Sequence, residues 1–135
     1  ELQYNYMQKN TKCVLLGGQC DIMDEKTKKI KYTTKHPRYI DKTFLKQNID
    51  KLKCWFINHP TVMYKKSIIL EAGGYNIDLI GHSEDTYLWI ELLKKGYAIN
   101  NLTAVVLTYR DCPNSLSHNF KFDIRKDIKQ WVQNM

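Results

Sequence analysis

No run of apolar residues in this chain approaches the ~18–20 needed to cross a bilayer. The opening Glu1-Leu2-Gln3-Tyr4-Asn5-Tyr6 also lacks the charge-then-apolar layout of a secretory signal. The segment is therefore expected neither to span a membrane nor to target one, and a cytoplasmic site, or the cytoplasmic face of a membrane, is the default expectation. Arginine is scarce, with only Arg38, Arg110 and Arg125, so the net charge of +7 is carried almost entirely by lysine. Arginine is the side chain suited to bidentate phosphate and base contacts, and the lysines are scattered apart from Lys26, Lys28, Lys29, Lys31 and Lys35. Nucleic acid is accordingly not an expected partner. Cys13, Cys20, Cys54 and Cys112 form no C-x-x-C, and none pairs in zinc-finger fashion with His36, His59, His82 or His118. That argues against a structural metal. Four thiols without a secretory signal are expected to stay reduced, Cys13 and Cys20 as small core residues. There is no internal repeat and no low-complexity tract.

What is present suits one folded unit. The chain has 135 residues, 43% hydrophobic and 26% charged, inside the globular range and long enough for a single modest core. It is read as a single domain over 1–135. The first residue is not Met, and Leu2, Tyr6 and Met7 have the spacing of the middle of a helix. The chain is therefore expected to be a piece of something longer.

Residues 1–10 read as a helix end, and Cys13-Val14-Leu15-Leu16 as a short buried strand stopped by Gly17-Gly18. A hairpin should follow, Gln19 to Met23 against Ile30 to Thr34, with the lysine cluster at its exposed tip. Asp41 is placed to cap a helix through Leu52, with Phe44, Leu45, Ile49 and Leu52 on one face. Asn58 to Tyr64 is expected to be extended, because Pro60 biases His59 away from helical geometry and β-formers follow. Ser67 to Ala72 reads as a short helix ended by Gly73-Gly74, and Tyr75 to Gly81 as a loop. Ser83 should cap a helix from Glu84 to Lys95 that buries Leu88, Trp89, Leu92 and Leu93 and stops at Gly96. A strand at Val105 to Arg110, a loop at 111–115 and a terminal helix from about Asn119 to Val132 complete an α/β or α+β mixture.

Glu84 and Asp85 are the sharpest chemical feature. Both carboxylates fall in the first turn of a helix, where free N–H groups and the helix dipole favour the ionised form and keep it ready to accept a proton. Acidic residues at that position also serve simply to stabilise the helix, by a few tenths to about 1 kcal/mol. His59 alone would be a surface histidine, Gly73-Gly74 a helix stop and Trp89 a core residue.

Their order is more specific than any one of them. His59-Pro60-Thr61-Val62-Met63-Tyr64, Gly73-Gly74-Tyr75, Ser83-Glu84-Asp85-Thr86-Tyr87-Leu88-Trp89, Asn101-Leu102 and Val106-Leu107-Thr108-Tyr109-Arg110 follow one another along the chain. As a set they resemble the C-terminal half of family 2 glycosyltransferases of the GT-A fold, whose pattern runs H-P-(S/T)-x-M-x-(R/K), G-G-Y, E-D-x-x-L-W, N-L and L-x-Y-R at similar spacing. The stretches Val14-Leu15-Leu16-Gly17-Gly18 and Ile22-Met23-Asp24-Glu25 look like the family's middle section, so the resemblance covers about residues 1–118.

The resemblance implies an α/β fold, the C-terminal portion of a nucleotide-diphospho-sugar transferase with a mixed sheet flanked by helices. It implies transfer of a sugar from a nucleotide-sugar donor, a UDP-sugar being the expected one, to the hydroxyl of a glycan or other acceptor. Asp85 would be the catalytic base, giving inversion by a single displacement, and Glu84 would hold the motif or shape the acceptor site. Trp89 would anchor the helix beneath them. His59, Gly73 and Gly74 would line the cleft, the glycines by permitting close backbone approach, and Tyr109 and Arg110 would end a strand near diphosphate charge. The family holds its donor and a divalent Mn or Mg ion mostly through a D-x-D half. This chain has no D-x-D, its nearest approach being Asp21-Ile22-Met23-Asp24, so the metal's ligands are expected mostly outside it. The family's frequent His after Y-R is replaced by Asp111-Cys112-Pro113, with His118 near but unmatched. On this reading the chain is the acceptor-side half of a larger enzyme. The alternative is a non-catalytic carbohydrate- or protein-binding module of the same fold.

Overall fold

A computed structural model describes residues 1–81, 83–113 and 124–135. His82, His118, the end of the 111–115 loop and the first residues of the expected terminal helix lie outside them. The architecture is α/β: a mixed five-stranded sheet with helices packed on it.

The sheet is built on two long neighbours, β1 (Leu15–Asp24) and β5 (Ile99–Asp111), which run parallel from Leu15 opposite Ile99 to Asp24 opposite Asp111. Outside β1, its second half pairs antiparallel with β2 (Ile30–Thr33), while its start pairs with the two-residue β4 (Met63–Tyr64). Outside β5 lies β3 (Tyr39–Ile40), antiparallel to Ile99 and Asn100. The hairpin forms as expected, and Asp24 Oδ1 organises its turn by accepting from the N–H groups of Lys26 and Thr27 at 3.0 and 2.7 Å.

Among the described residues five α-helices accompany the sheet: α1 (Leu2–Lys9), α2 (Lys42–Asn48), α3 (Lys66–Glu71), α4 (Glu84–Lys94) and α5 (Ile124–Gln133). α4 is the core element. Leu88, Trp89, Ile90, Leu92 and Leu93 are all buried, with Leu15, Ile40, Ile69 and Ile99 beside them. Burying side chains of this size stabilises a fold by about 1.5–3 kcal/mol each. α5 closes the other side of α4 through Ile128 and Val132, with the Trp131 ring edge-on to Tyr87 at 5.1 Å. Cys13 and Cys20 are buried thiols, and none of the four cysteines is in a disulfide.

Five expectations are corrected. Gly17 and Gly18 do not stop a strand but lie inside β1, because other side chains come too close for anything larger: a Cβ on Gly17 would sit 2.4 Å from Asn101 Oδ1, and one on Gly18 2.7 Å from Val106 Cγ2. Asp41 does cap α2, accepting from Phe44 N–H at 2.7 Å, but the helix ends at Asn48 and the chain turns through positive φ at Lys53 and Cys54. His59–Thr61 forms a 3-10 turn in place of extended chain, since Pro60 has the φ that its first positions need and the Thr61 hydroxyl donates back to Asn58 O at 2.7 Å. Ser83 precedes α4 but makes no side-chain cap; its φ is +120°. β5 starts at Ile99, six residues before the expected Val105, because Asn100 and Asn101 join the ladder.

Candidate active site

The 3-10 turn holding His59 is fixed to the sheet by buried amides and hydroxyls. Asn58 Nδ2 donates to Gly18 O at 3.1 Å and to Thr34 Oγ1 at 3.0 Å, and Asn58 Oδ1 faces His36 Nε2 at 2.9 Å. Gly18 N–H donates to Thr61 Oγ1 at 3.1 Å. Buried polar groups satisfied in this way rigidify what they connect, so the next side chain along, His59, leaves a fixed base.

Opposite it, α4 begins in a tight corner. Ser83 is buried and held in the left-handed region, at a cost of order 1–3 kcal/mol for a residue other than glycine. The Glu84 carboxylate offsets part of that by accepting the N–H groups of Gly81 at 3.0 Å and Ser83 at 3.3 Å. With Glu84 turned back onto the loop, Asp85 is the carboxylate left facing His59. Its Oδ1 accepts from its neighbour's Thr86 N–H at 2.6 Å, and its Oδ2 lies 3.3 Å from His59 Nδ1.

The other imidazole nitrogen, Nε2, lies 3.2 Å from the Tyr75 hydroxyl. Tyr75 reaches that point because Gly73 and Gly74 turn the chain at φ +99° and +70°. A Cβ added to either glycine would meet nothing within 4 Å; backbone conformation, more than crowding, is what calls for glycine there. Trp89, 1% exposed, forms the floor, edge-on to His59 at 5.9 Å and to Tyr75 at 6.4 Å.

The electrostatics follow from these contacts. Burial pushes the Asp85 carboxyl up, but the hydrogen bonds from His59 and from Thr86 N–H together outweigh it, and the net position is below the ordinary carboxylate value. His59 is held above the ordinary imidazole value, first by its hydrogen bond to Asp85 and against partial burial, with the Asp85 and Glu84 charges adding to it. Tyr75 is pushed up to about 12, mainly by burial, with the neighbouring Tyr64 and the nearby carboxylates contributing. The Asp85 side chain is 26% exposed and that of His59 42%, so the ionised carboxylate keeps one side open to solvent.

Of the residues singled out from sequence, Asp85, His59 and Trp89 converge, with Glu84 and the two glycines shaping the adjoining loops. Tyr109 and Arg110 do not join them: they pair with Ile22 and Met23 at the hairpin end of the sheet, four strand residues or about 13 Å beyond the level of Gly18. Tyr75 is the member that sequence reasoning passed over as a site residue, although it stood in the G-G-Y motif. Among the described residues no group of three or more His, Cys, Asp or Glu side chains could hold a metal ion. The described residues thus do not compose a ligand set for a divalent ion. Among them, too, no helix is long and apolar enough to cross a membrane.

No family model matches the chain. Over 110 residues, 82% of this chain, it is 29% identical to an uncharacterized glycosyltransferase of Haemophilus influenzae. The likeness is to a glycosyltransferase. The chain spans 38% of that protein's length.

Proposed function

We propose that this chain is the acceptor-side, C-terminal portion of an inverting glycosyltransferase of family 2 with the GT-A fold, and that Asp85 is its general base. The observation that carries the reading is the Asp85 carboxylate itself: at the first turn of α4, kept ionised by Thr86 N–H and His59, and open to solvent on one side. The ordered motifs and the similarity to a glycosyltransferase support it.

In the reaction, the acceptor hydroxyl oxygen forms a bond to the anomeric carbon of a nucleotide sugar, UDP-linked on this reading. The bond from that carbon to the diphosphate breaks with its electron pair going to the leaving group, and the hydroxyl proton passes to Asp85. An alcohol is far less acidic than a carboxylic acid, so proton transfer must accompany C–O bond formation, and positioning supplies much of the gain. A carboxylate fixed from two sides is suited to that. Donor binding, the D-x-D motif and the ligands of any Mn or Mg ion are assigned to the rest of the protein.

The test is incubation of the full-length protein with nucleotide sugars and candidate acceptors, reading released nucleoside diphosphate and the anomeric configuration of the product. Inverted configuration is expected. Retention would contradict a single displacement with Asp85 as base, and no release with any common donor would favour a binding module of the same fold.

A further inference from the structure

We propose that Asp85, His59 and Tyr75 operate as one unit in which His59, itself oriented by Tyr75, aims and gates the carboxylate that accepts the proton. The inference rests on the transferase reading and adds two positioning residues to it. Three segments far apart in sequence bring these groups together: the 3-10 turn, the loop after α3 and the start of α4.

One donor sequence satisfies the contacts. Tyr75 O–H donates to His59 Nε2, which leaves the imidazole proton on Nδ1, and Nδ1–H donates to Asp85 Oδ2. A carboxylate offers about four lone-pair sites. His59 takes one on Oδ2 and Thr86 N–H one on Oδ1, so capacity remains for the acceptor hydroxyl, and the plane of the carboxylate is set before that hydroxyl arrives. Orientation of a catalytic group by a hydrogen-bonded neighbour is worth large factors in rate where it has been measured.

Gating follows from charge. The groups facing the imidazole are Asp85 from α4 and Tyr75 from its loop, with the Trp89 ring edge below, Tyr64 of β4 behind Tyr75, and the Glu84 charge acting from the adjoining turn without contact. When His59 is protonated, a full cation faces Asp85 and lowers its basicity; when His59 is neutral, it keeps the orienting bond without the charge. Transfer should therefore rise as His59 loses its proton, with an acid limb above the ordinary imidazole value of about 6.5. The proton taken by Asp85 leaves to solvent through its exposed side.

The test uses the full-length protein. His59→Ala should lower kcat by about 10²-fold with KM little changed. His59→Asn places an amide N–H near the position of Nδ1 and does not titrate; it should keep transfer within about tenfold of the parent and lose the acid limb. A His59→Ala protein with unchanged kcat and pH profile, or a His59→Asn protein that keeps the acid limb, would overturn the proposal. Histidine NMR provides a readout that does not need turnover. Asp85→Asn should lower the His59 pKa, and Tyr75→Phe should shift the His59 Nε2 resonance as that nitrogen loses its donor. Absence of both changes, with turnover still dependent on Asp85, would overturn the unit and leave the transferase reading standing. Both changes present in a protein that turns over no donor would establish the coupled unit and defeat the transferase reading instead.

Discussion

His36 and His59 carry the same ring in opposite surroundings. His36 is tucked behind the hairpin with its Nε2 against Asn58 Oδ1, and burial pushes it below the ordinary imidazole value despite that bond. His59 has a carboxylate beside it and moves up. A histidine NMR titration should therefore place the two midpoints on either side of about 6.5; the reverse order would refute the contacts described for both. Stability should follow the same linkage. The depressed Asp85 carboxyl stabilises the fold above its ordinary value near 3.9, and that contribution is lost as pH falls through the lower folded value. The raised His59 stabilises it fully below about 6.5, and that contribution is lost as pH rises through the folded value. The pair thus contributes most between about pH 4 and 6.5. Asp85→Asn should show its largest loss of denaturation midpoint in that window and a smaller one by pH 8; a penalty that grows from pH 6 to pH 9 would contradict the pairing.

Among the elements, β1 and α2 show where local rules succeed and where they fail. The Asp41 cap was legible because capping is decided within four residues, and Asp41→Ala should cost about 1 kcal/mol in chemical denaturation. The Gly17-Gly18 pair was misread as a strand end because the crowding at Gly17 comes from Ile57 and Asn101, 40 and 84 positions along the chain. Gly17→Ala is expected to destabilise by about 1–3 kcal/mol through overpacking, and a neutral result would place the glycine's role elsewhere. The start of β5 was hidden for a related reason. Asn100 and Asn101 look like loop residues, yet Asn101 Nδ2 donates to Pro37 O at 2.8 Å and Phe56 O at 3.2 Å, acceptors that no neighbour in sequence could supply. Leu88, Trp89, Leu92 and Leu93 were readable as the buried stripe of α4 from helical spacing alone.

For the molecule as a whole, the α/β class and most of the helices and strands follow from periodicity and turn residues, whereas the meeting of Asp85 with His59 and Tyr75 does not. Tyr75 lies 16 positions after His59 and 10 before Asp85, which is 26 from His59, and only the folding of α4 against the β1–β5 pair, with Trp89 beneath, brings them into contact. The ordered motifs named Asp85 and His59; the relation between them is a product of the tertiary structure. The central claim is that Asp85 takes the acceptor's proton, and the most direct measurement is release of nucleoside diphosphate by the full-length protein with and without Asp85→Asn, alongside donor binding by each. The account predicts turnover reduced by about 10²–10⁴-fold in a variant that still folds and binds donor. Unchanged turnover in that variant would contradict it.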